Sequence, residues 1–140
     1  MSAPSFEIVV ISLTRAEARR ALMGPMLDAL GVAWRYFDAH TGLDNPRLSY
    51  DPQRAKTSFS RNLSPPEVAV YSSHYTAIQE FHERAEADWL VVLEDDILID
   101  PAFPLGEFVA LCAKEKLDYV RLFSRNFAPA EWLSYFYDRS

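Results

Sequence analysis

Apolar residues follow two rhythms along this chain, and each rhythm predicts a different kind of element. FEIVVISL, Phe6 to Leu13, is a nearly unbroken apolar run rich in β-branched residues, as expected of a strand buried on both faces. AWRYFDA reads as a second strand ending near Asp38, DWLVVL as a third, and DYVRLF (Asp118 to Phe123) as a fourth. Between them the spacing becomes helical. Thr14 is placed to cap a helix and Glu17 to complete a capping box. That helix is expected to reach about Leu30, with Leu22, Met26 and Leu30 on one stripe and Gly31 as its stop. Gly24-Pro25 inside it predicts a kink or a split. SPPE opens another helix, with Ser64 as N-cap, Pro65 at its first position and Glu67 at its third. Val68, Tyr71, Tyr75, Ile78 and His82 share a face of it. A further helix is expected over Leu105 to Lys116, after a turn at Asp100-Pro101. Residues 39–63 are polar, with Gly42, Pro46 and Pro52, and predict a long loop of the kind that usually carries function.

Strands alternating with helices predict an α/β layered fold, Rossmann-like, with a mostly parallel sheet flanked by helices and right-handed crossovers. Ligands of such sheets bind outside the carboxyl ends of the strands. Three ends are then expected to converge: Ser12-Leu13-Thr14, Asp38 and Glu94-Asp95-Asp96.

Composition narrows the choice. The chain has 140 residues, which fits a single domain, and 49% hydrophobic with 14% aromatic residues argues against disorder. A net charge of −6 excludes a general nucleic-acid binder, which needs a basic face. Cys112 is the sole cysteine, so an internal disulfide and a cysteine-based zinc site are excluded and a reducing compartment is expected. The N-terminus lacks a basic region, and the run from Ile8 to Leu13 is too short to span a bilayer. A soluble, cytoplasmic protein without a signal peptide or membrane span is expected.

The acidic triplet in WLVVLEDDILID is the strongest chemical signal. Acid clustering by itself decides nothing, because 20 acids in 140 residues give about 0.4 such runs by chance. Its setting matters more. Glu94, Asp95 and Asp96 follow an apolar strand and precede Ile97-Leu98-Ile99. Adjacent carboxylates repel, and desolvation adds to the cost of ionising them. A divalent cation relieves both. Alternating residues of an extended segment point the same way, so Glu94 and Asp96 are placed to share an ion while Asp95 faces elsewhere. Two carboxylates leave coordination positions for water and phosphate oxygens around Mg²⁺ or Mn²⁺.

VVLEDD resembles the metal-binding motif of GT-A type glycosyltransferases. With VVISLTRAEARR, FDAHTG and LSPPEVAVYSSH in order before it, the chain resembles glycosyltransferase family 25, the bacterial lipooligosaccharide biosynthesis enzymes, over roughly residues 7 to 123. The resemblance implies a UDP-hexose donor, galactose or glucose, a saccharide acceptor, and inverting transfer to a sugar hydroxyl. It implies Mn²⁺ (or Mg²⁺) held by Glu94 and Asp96 with Asp95 close by. Ser12, Leu13 and Arg15 would border the nucleotide, Arg19 or Arg20 less directly. Asp38 and Gly42 would lie near base or ribose, and Arg61, Ser73 and His74 match the motif into and along the middle helix. Asp95 and His74 are the catalytic candidates. Ala69-Val70 stands where the family usually has a smaller pair. Family members typically run on the order of a hundred residues past the fourth strand, supplying most of the acceptor site, a point of family likeness rather than fold physics. A fragment, a naturally short member and a degenerate one all fit that difference. The rival is a non-catalytic nucleotide- or partner-binding domain built on half the fold.

Other residues have plainer readings. Arg15, Arg19 and Arg20 read as a solvated helix face, and Arg61 as either a phosphate clamp or a loop cation. His40 and His82 lack metal-ligand spacing. Trp34, Trp89 and Trp132 read as core before sugar platforms. WLSYFYD, from Trp132, predicts a homodimer contact or an exposed patch.

Overall fold

β1 (Phe6–Ser12) forms the middle of a three-stranded parallel sheet of order β2-β1-β3, with β2 (Trp34–Asp38) and β3 (Trp89–Glu94) on either side. The computed structural model describes residues 2–84 and 86–122. The unbroken apolar run of β1 has a direct cause: both faces of this strand are covered. Ile8 and Val10 pack with Met23 and Leu27 of α1 (Glu17–Asp28), Val91 of β3, and Leu105 and Val109 of α4 (Leu105–Lys114). Val9 and Ile11 face the other way, onto Phe37 and onto Ala77 of α3 (Pro65–Arg84). The chain steps from β1 to β2 in one direction and from β2 to β3 in the other. Two crossovers of the same hand must then use opposite faces of the sheet, and α1 and α3 do so.

Several expectations are corrected. α1 begins at Glu17 with Ala16 as N-cap and no side-chain cap, so the Thr14–Glu17 box does not form; a backbone turn from Ala16 N–H to Leu13 O, 2.9 Å, takes its place. The inward stripe of α1 centres on Met23 and Leu27 while Leu22 is exposed. Pro25 sits within the helix, which is continuous through it. Gly31, at φ +66°, reverses the chain toward β2, a conformation that favours glycine. The expected long loop contains a further helix, α2 (Pro52–Phe59), capped by Asp51, whose carboxylate accepts from Gln53 and Arg54 N–H at 3.0 and 3.1 Å. Its one buried residue is Ala55, so it had almost no hydrophobic period to reveal it. The fourth strand is absent from the described part of its range: residues 118–122 are irregular, and Phe123 lies outside the described residues, as does the aromatic C-terminus expected to form a dimer contact or an exposed patch.

The face that α3 buries is made of small residues. Its buried residues are Ala69, Ser72, Ser73 and Ala77. Tyr71, Tyr75 and Ile78, from the apolar face read in the sequence, point out with Val70; Tyr71 is 58% and Ile78 52% exposed. Small side chains let this helix lie close on the sheet. The N-terminus of α3 is as expected. Ser64 Oγ and N–H both meet Glu67 Oε2, at 3.0 and 2.8 Å, closing a capping box. Arg61 grips the same carboxylate with two bonds of 2.8 and 2.6 Å.

This arrangement predicts a pH effect. Arg61 first, then Ser64, draws the Glu67 carboxyl from 4.5 down to about 2. A depressed carboxyl pKa stabilises the fold above its ordinary value, and that contribution is lost as pH falls from 4.5 toward 2. Glu67→Gln will therefore destabilise the protein in urea unfolding at pH 7 and have no effect near pH 2. Ser64→Ala will cost about 1 kcal/mol at pH 7.

Candidate functional site

The strand register decides where the site lies. Ser12 pairs with Asp38, and Ile11 with Glu94, so all three strands end at one level. Beyond them opens a crevice of about 400 Å³. It is lined by Ser12, Leu13, Arg15 and Arg19 from the end of β1 and the start of α1, and by Glu94, Asp95 and Asp96 from the end of β3. Residues 39–41 after β2 and the first turns of α3 close it. Convergence at the carboxyl ends is as the alternation of elements implies.

The three carboxylates part company here. Asp95 turns inward: Ser12 Oγ donates to its Oδ2 at 2.7 Å and Arg19 Nη1 to its Oδ1 at 3.1 Å. Ser12 is 2% exposed, and its hydroxyl has one hydrogen to give. Arg20 Nε donates to its oxygen at 3.2 Å, so the hydroxyl hydrogen goes to Asp95 rather than to Leu13 O at 3.4 Å. Arg20 does more. Its Nη2 reaches Ser12 O at 2.8 Å and Asp38 Oδ1 at 2.7 Å. Its guanidinium lies 4.5 Å from the centre of the Tyr36 ring, and Tyr36 donates back to Arg20 O at 2.8 Å. One arginine thus joins the ends of β1 and β2, and through Ser12 the turn after β3. Its hydrogen bond is the first cause of a lowered Asp38 pKa, and burial is the first cause of a raised one at Tyr36. Arg15, Arg19 and Arg20, read as one solvated face, hold three separate positions. No local pattern in the sequence could reveal the hub, because its partners come from strands that meet only in the fold.

Glu94 and Asp96 are left exposed at the crevice. Glu94 Oε1 lies 3.1 Å from His74 Nε2. No cluster of three or more His, Cys, Asp or Glu suited to a metal occurs among the described residues. The donor set is nonetheless two hard carboxylates beside open space, which fits Mn²⁺ or Mg²⁺ completed by water and a ligand's oxygens, not a closed structural site. Arg15 is exposed on the crevice without an ion-pair partner among the described residues.

The helix that opens at the crevice has little to offer an anion. Pro65 and Pro66 have no N–H, and the next two amides, of Glu67 and Val68, are directed at Ser64. Charge recognition therefore falls to Arg15, Arg19 and the carboxylate side. Ser73 lines the crevice with its one hydrogen committed, donating to Ala69 O at 2.9 Å, and it accepts from His40 N–H at 2.8 Å. His40, weighed in the sequence only as a metal ligand, also lines the crevice; its place directly after a strand end was the available signal. Asn45, buried, bonds Thr76 and Gln79 at 2.9 Å each and pins the loop after β2 to α3. Gly42 lies in this loop without lining the crevice, and Asp38 and Arg61 are held by Arg20 and Glu67 instead of facing it. Trp34 and Trp89 pack against the core, Trp34 also donating to Asp28 at 2.9 Å; Trp132 lies outside the described residues. No helix among the described residues is long and apolar enough to cross a membrane.

Comparison with curated proteins gives no match. A family model described as glycosyltransferase family 25 (LPS biosynthesis protein) matches residues 6–138. That span takes in the whole sheet, all the crevice residues and both arginine networks, and on this ground the chain belongs to glycosyltransferase family 25.

Proposed function

We propose that the crevice binds a nucleoside diphosphate sugar, a UDP-hexose, and transfers its galactose or glucose to a saccharide acceptor with inversion. The observation that carries this reading is the division of the acidic triplet. Asp95 is held by Ser12 and Arg19, while Glu94 and Asp96 stay exposed on a crevice that Arg15 also lines. A diphosphate carries both the oxygens a divalent cation needs and the charge guanidinium groups match. Glu94 and Asp96 would hold Mn²⁺ or Mg²⁺. Such an ion supplies Lewis-acid neutralisation of charge developing on the leaving diphosphate.

The protein's own residues then have distinct tasks. Asp95 braces the turn after β3 through Ser12 and Arg19, so that its neighbours on both sides keep their aim. Arg15 steadies the phosphates, and Leu13 borders the nucleotide. In the transfer, the acceptor oxygen bonds to the anomeric carbon as the bond to the diphosphate breaks and its electron pair leaves with UDP. The hydroxyl proton needs an acceptor. With both Asp95 oxygens engaged, His74 is the better placed of the two candidates. When Nε2–H donates to Glu94, the ring's Nδ1 is free of a proton and can take one. The engagement of Asp95 also favours the second reading, a nucleotide-binding domain without transfer.

Thermal melting with UDP plus Mn²⁺, against UDP alone, tests the site. Ligand at about 100 times its dissociation constant adds about 2.7 kcal/mol and raises the midpoint visibly. The rise is expected with both present and lost in Asp96→Ala. Absence of any rise with UDP and Mn²⁺ removes the donor-site reading. A rise without transfer from any UDP-hexose to saccharide acceptors supports the second one.

A further inference from the structure

We infer that His40 is a specificity-determining residue of the crevice, presenting a protonated ring Nε2 as hydrogen-bond donor to an oxygen of the bound nucleoside. The inference rests on the nucleotide-sugar reading above.

His40 is fixed from three directions. Its backbone N–H donates to Ser73 Oγ at 2.8 Å, its Nδ1 lies 2.7 Å from Ser72 Oγ, and its ring tilts against Phe37 with centroids 5.5 Å apart. Ser72 decides the tautomer. Its side chain is wholly buried, and His40 Nδ1 is its hydrogen-bond partner among the described residues. A buried hydroxyl left without an acceptor costs its full desolvation, so the Ser72 hydrogen lies on Nδ1. The neighbouring serine follows the same logic, since Ser73 spends its own hydrogen on Ala69 O. With Nδ1 accepting, the proton of the neutral ring sits on Nε2. Nε2 has no partner among the described residues, and His40 lines the crevice. The result is a donor held in advance of binding, with little left to order when a ligand arrives.

Strand order gives the distance from His40 to the acidic end of the crevice. His40 follows β2, and Glu94 and Asp96 follow or end β3, with β1 between. Two strand spacings separate those ends, roughly 10 Å. On the nucleotide-sugar reading, a diphosphate held at the β3 end leaves its nucleoside room to extend over β1 to the β2 end, where the family resemblance also puts base and ribose. The groups that a donor can meet there are base carbonyls and ribose oxygens. An amino group at the same place on another base would face a donor with a donor, which is how the site discriminates.

Two measurements test this. In protein labelled with ¹⁵N-histidine, the His40 ring is expected to show a pyrrole-like Nε2 and a pyridine-like Nδ1; the opposite pattern overturns the inference. Isothermal titration then compares wild type, His40→Asn and His40→Gln with UDP plus Mn²⁺, and with pyrophosphate plus Mn²⁺. Asparagine keeps an atom beside Ser72 and removes the crevice donor; glutamine places an amide N–H near the Nε2 position. His40→Asn is expected to weaken UDP about 10-fold, His40→Gln to stay within about threefold, and pyrophosphate to bind all three alike. UDP binding by His40→Asn equal to wild type overturns the inference and leaves the donor site standing. Equal losses for UDP and pyrophosphate in both variants also overturn it, because they mark a general disturbance of the loop. Wild type that binds neither removes the donor site and this inference together.

Discussion

Arg20→Ala will lower the stability of this protein by about 2–4 kcal/mol, the sum expected when one truncation removes charge-assisted hydrogen bonds together with a cation–π interaction. The side chain is only 21% exposed and meets Ser12, Asp38 and the Tyr36 ring at once. Truncation removes one of the two donors on the Ser12 carbonyl, which keeps Ala39 N–H at 2.9 Å, and the donor on the Ser12 hydroxyl oxygen, at a place where water has poor access. Arg20→Lys will recover less than half of this stability, because an ammonium cannot donate along the fixed fork that spans Ser12 and Asp38. Urea unfolding with an unchanged slope is the measurement, and a decrease under about 0.5 kcal/mol would show the hub to be incidental. The network also has a pH signature. Asp38 has its pKa lowered, chiefly by Arg20. Its contribution is complete above the ordinary carboxylate range and is lost as pH falls through the depressed value. Wild type will lose part of its advantage over Arg20→Ala on acidification. A second consequence is functional: with Ser12 no longer oriented, the turn bearing Glu94 and Asp96 loses its brace, and Mn²⁺-dependent UDP binding will weaken even in the folded fraction.

The contrast between Arg20 and Glu94 shows which parts of the site can be read from a chain. The layered α/β arrangement was legible because β1 is buried on both faces and its side chains say so without reference to anything else. The acidic triplet was legible for the same local reason: a strand end is a place, and carboxylates there need an explanation. The alternation expected of an extended segment is not the cause of the split, because β3 ends at Glu94 and Asp95 and Asp96 lie in the turn that follows; Asp95 differs from its neighbours by its bonds to Ser12 and Arg19. The convergence of the strand ends could be read; which side chains bond one another there could not. Arg20 meets Ser12 eight positions back and Asp38 eighteen positions on. His40 meets Ser72 thirty-two positions later. Arg61 was drawn toward the crevice by motif and is held by Glu67 six residues away. Helix α2 was hidden for a different reason: it buries Ala55 alone, and its cap at Asp51-Pro52 was the only local sign.

Ala77→Leu will destabilise the protein by about 3 kcal/mol, while Tyr75→Ser and Ile78→Ser, one face away on the same helix, will each stay within about 0.5 kcal/mol. Hydrophobic size alone ranks these the other way, since large apolar residues at helical spacing are the usual core stripe. The difference lies in the sheet beneath. Val9, Ile11 and Phe37 already fill the space over this face of β1 and β2, and Ala77 is buried completely against them. The longer side chain has no rotamer that avoids the sheet, so α3 must lift or the strand side chains must leave their wells. Lifting would also separate Ser72 and Ser73 from His40, so the crevice would deform along with the core. Thermal unfolding reads the ranking directly: a change of about 3 kcal/mol lowers the midpoint by roughly 10 °C in a domain of this size. A stable Ala77→Leu together with an unstable Ile78→Ser would mean that the aromatic stripe packs inward, and would move His74, three residues from Ala77 on the same helix, away from Glu94.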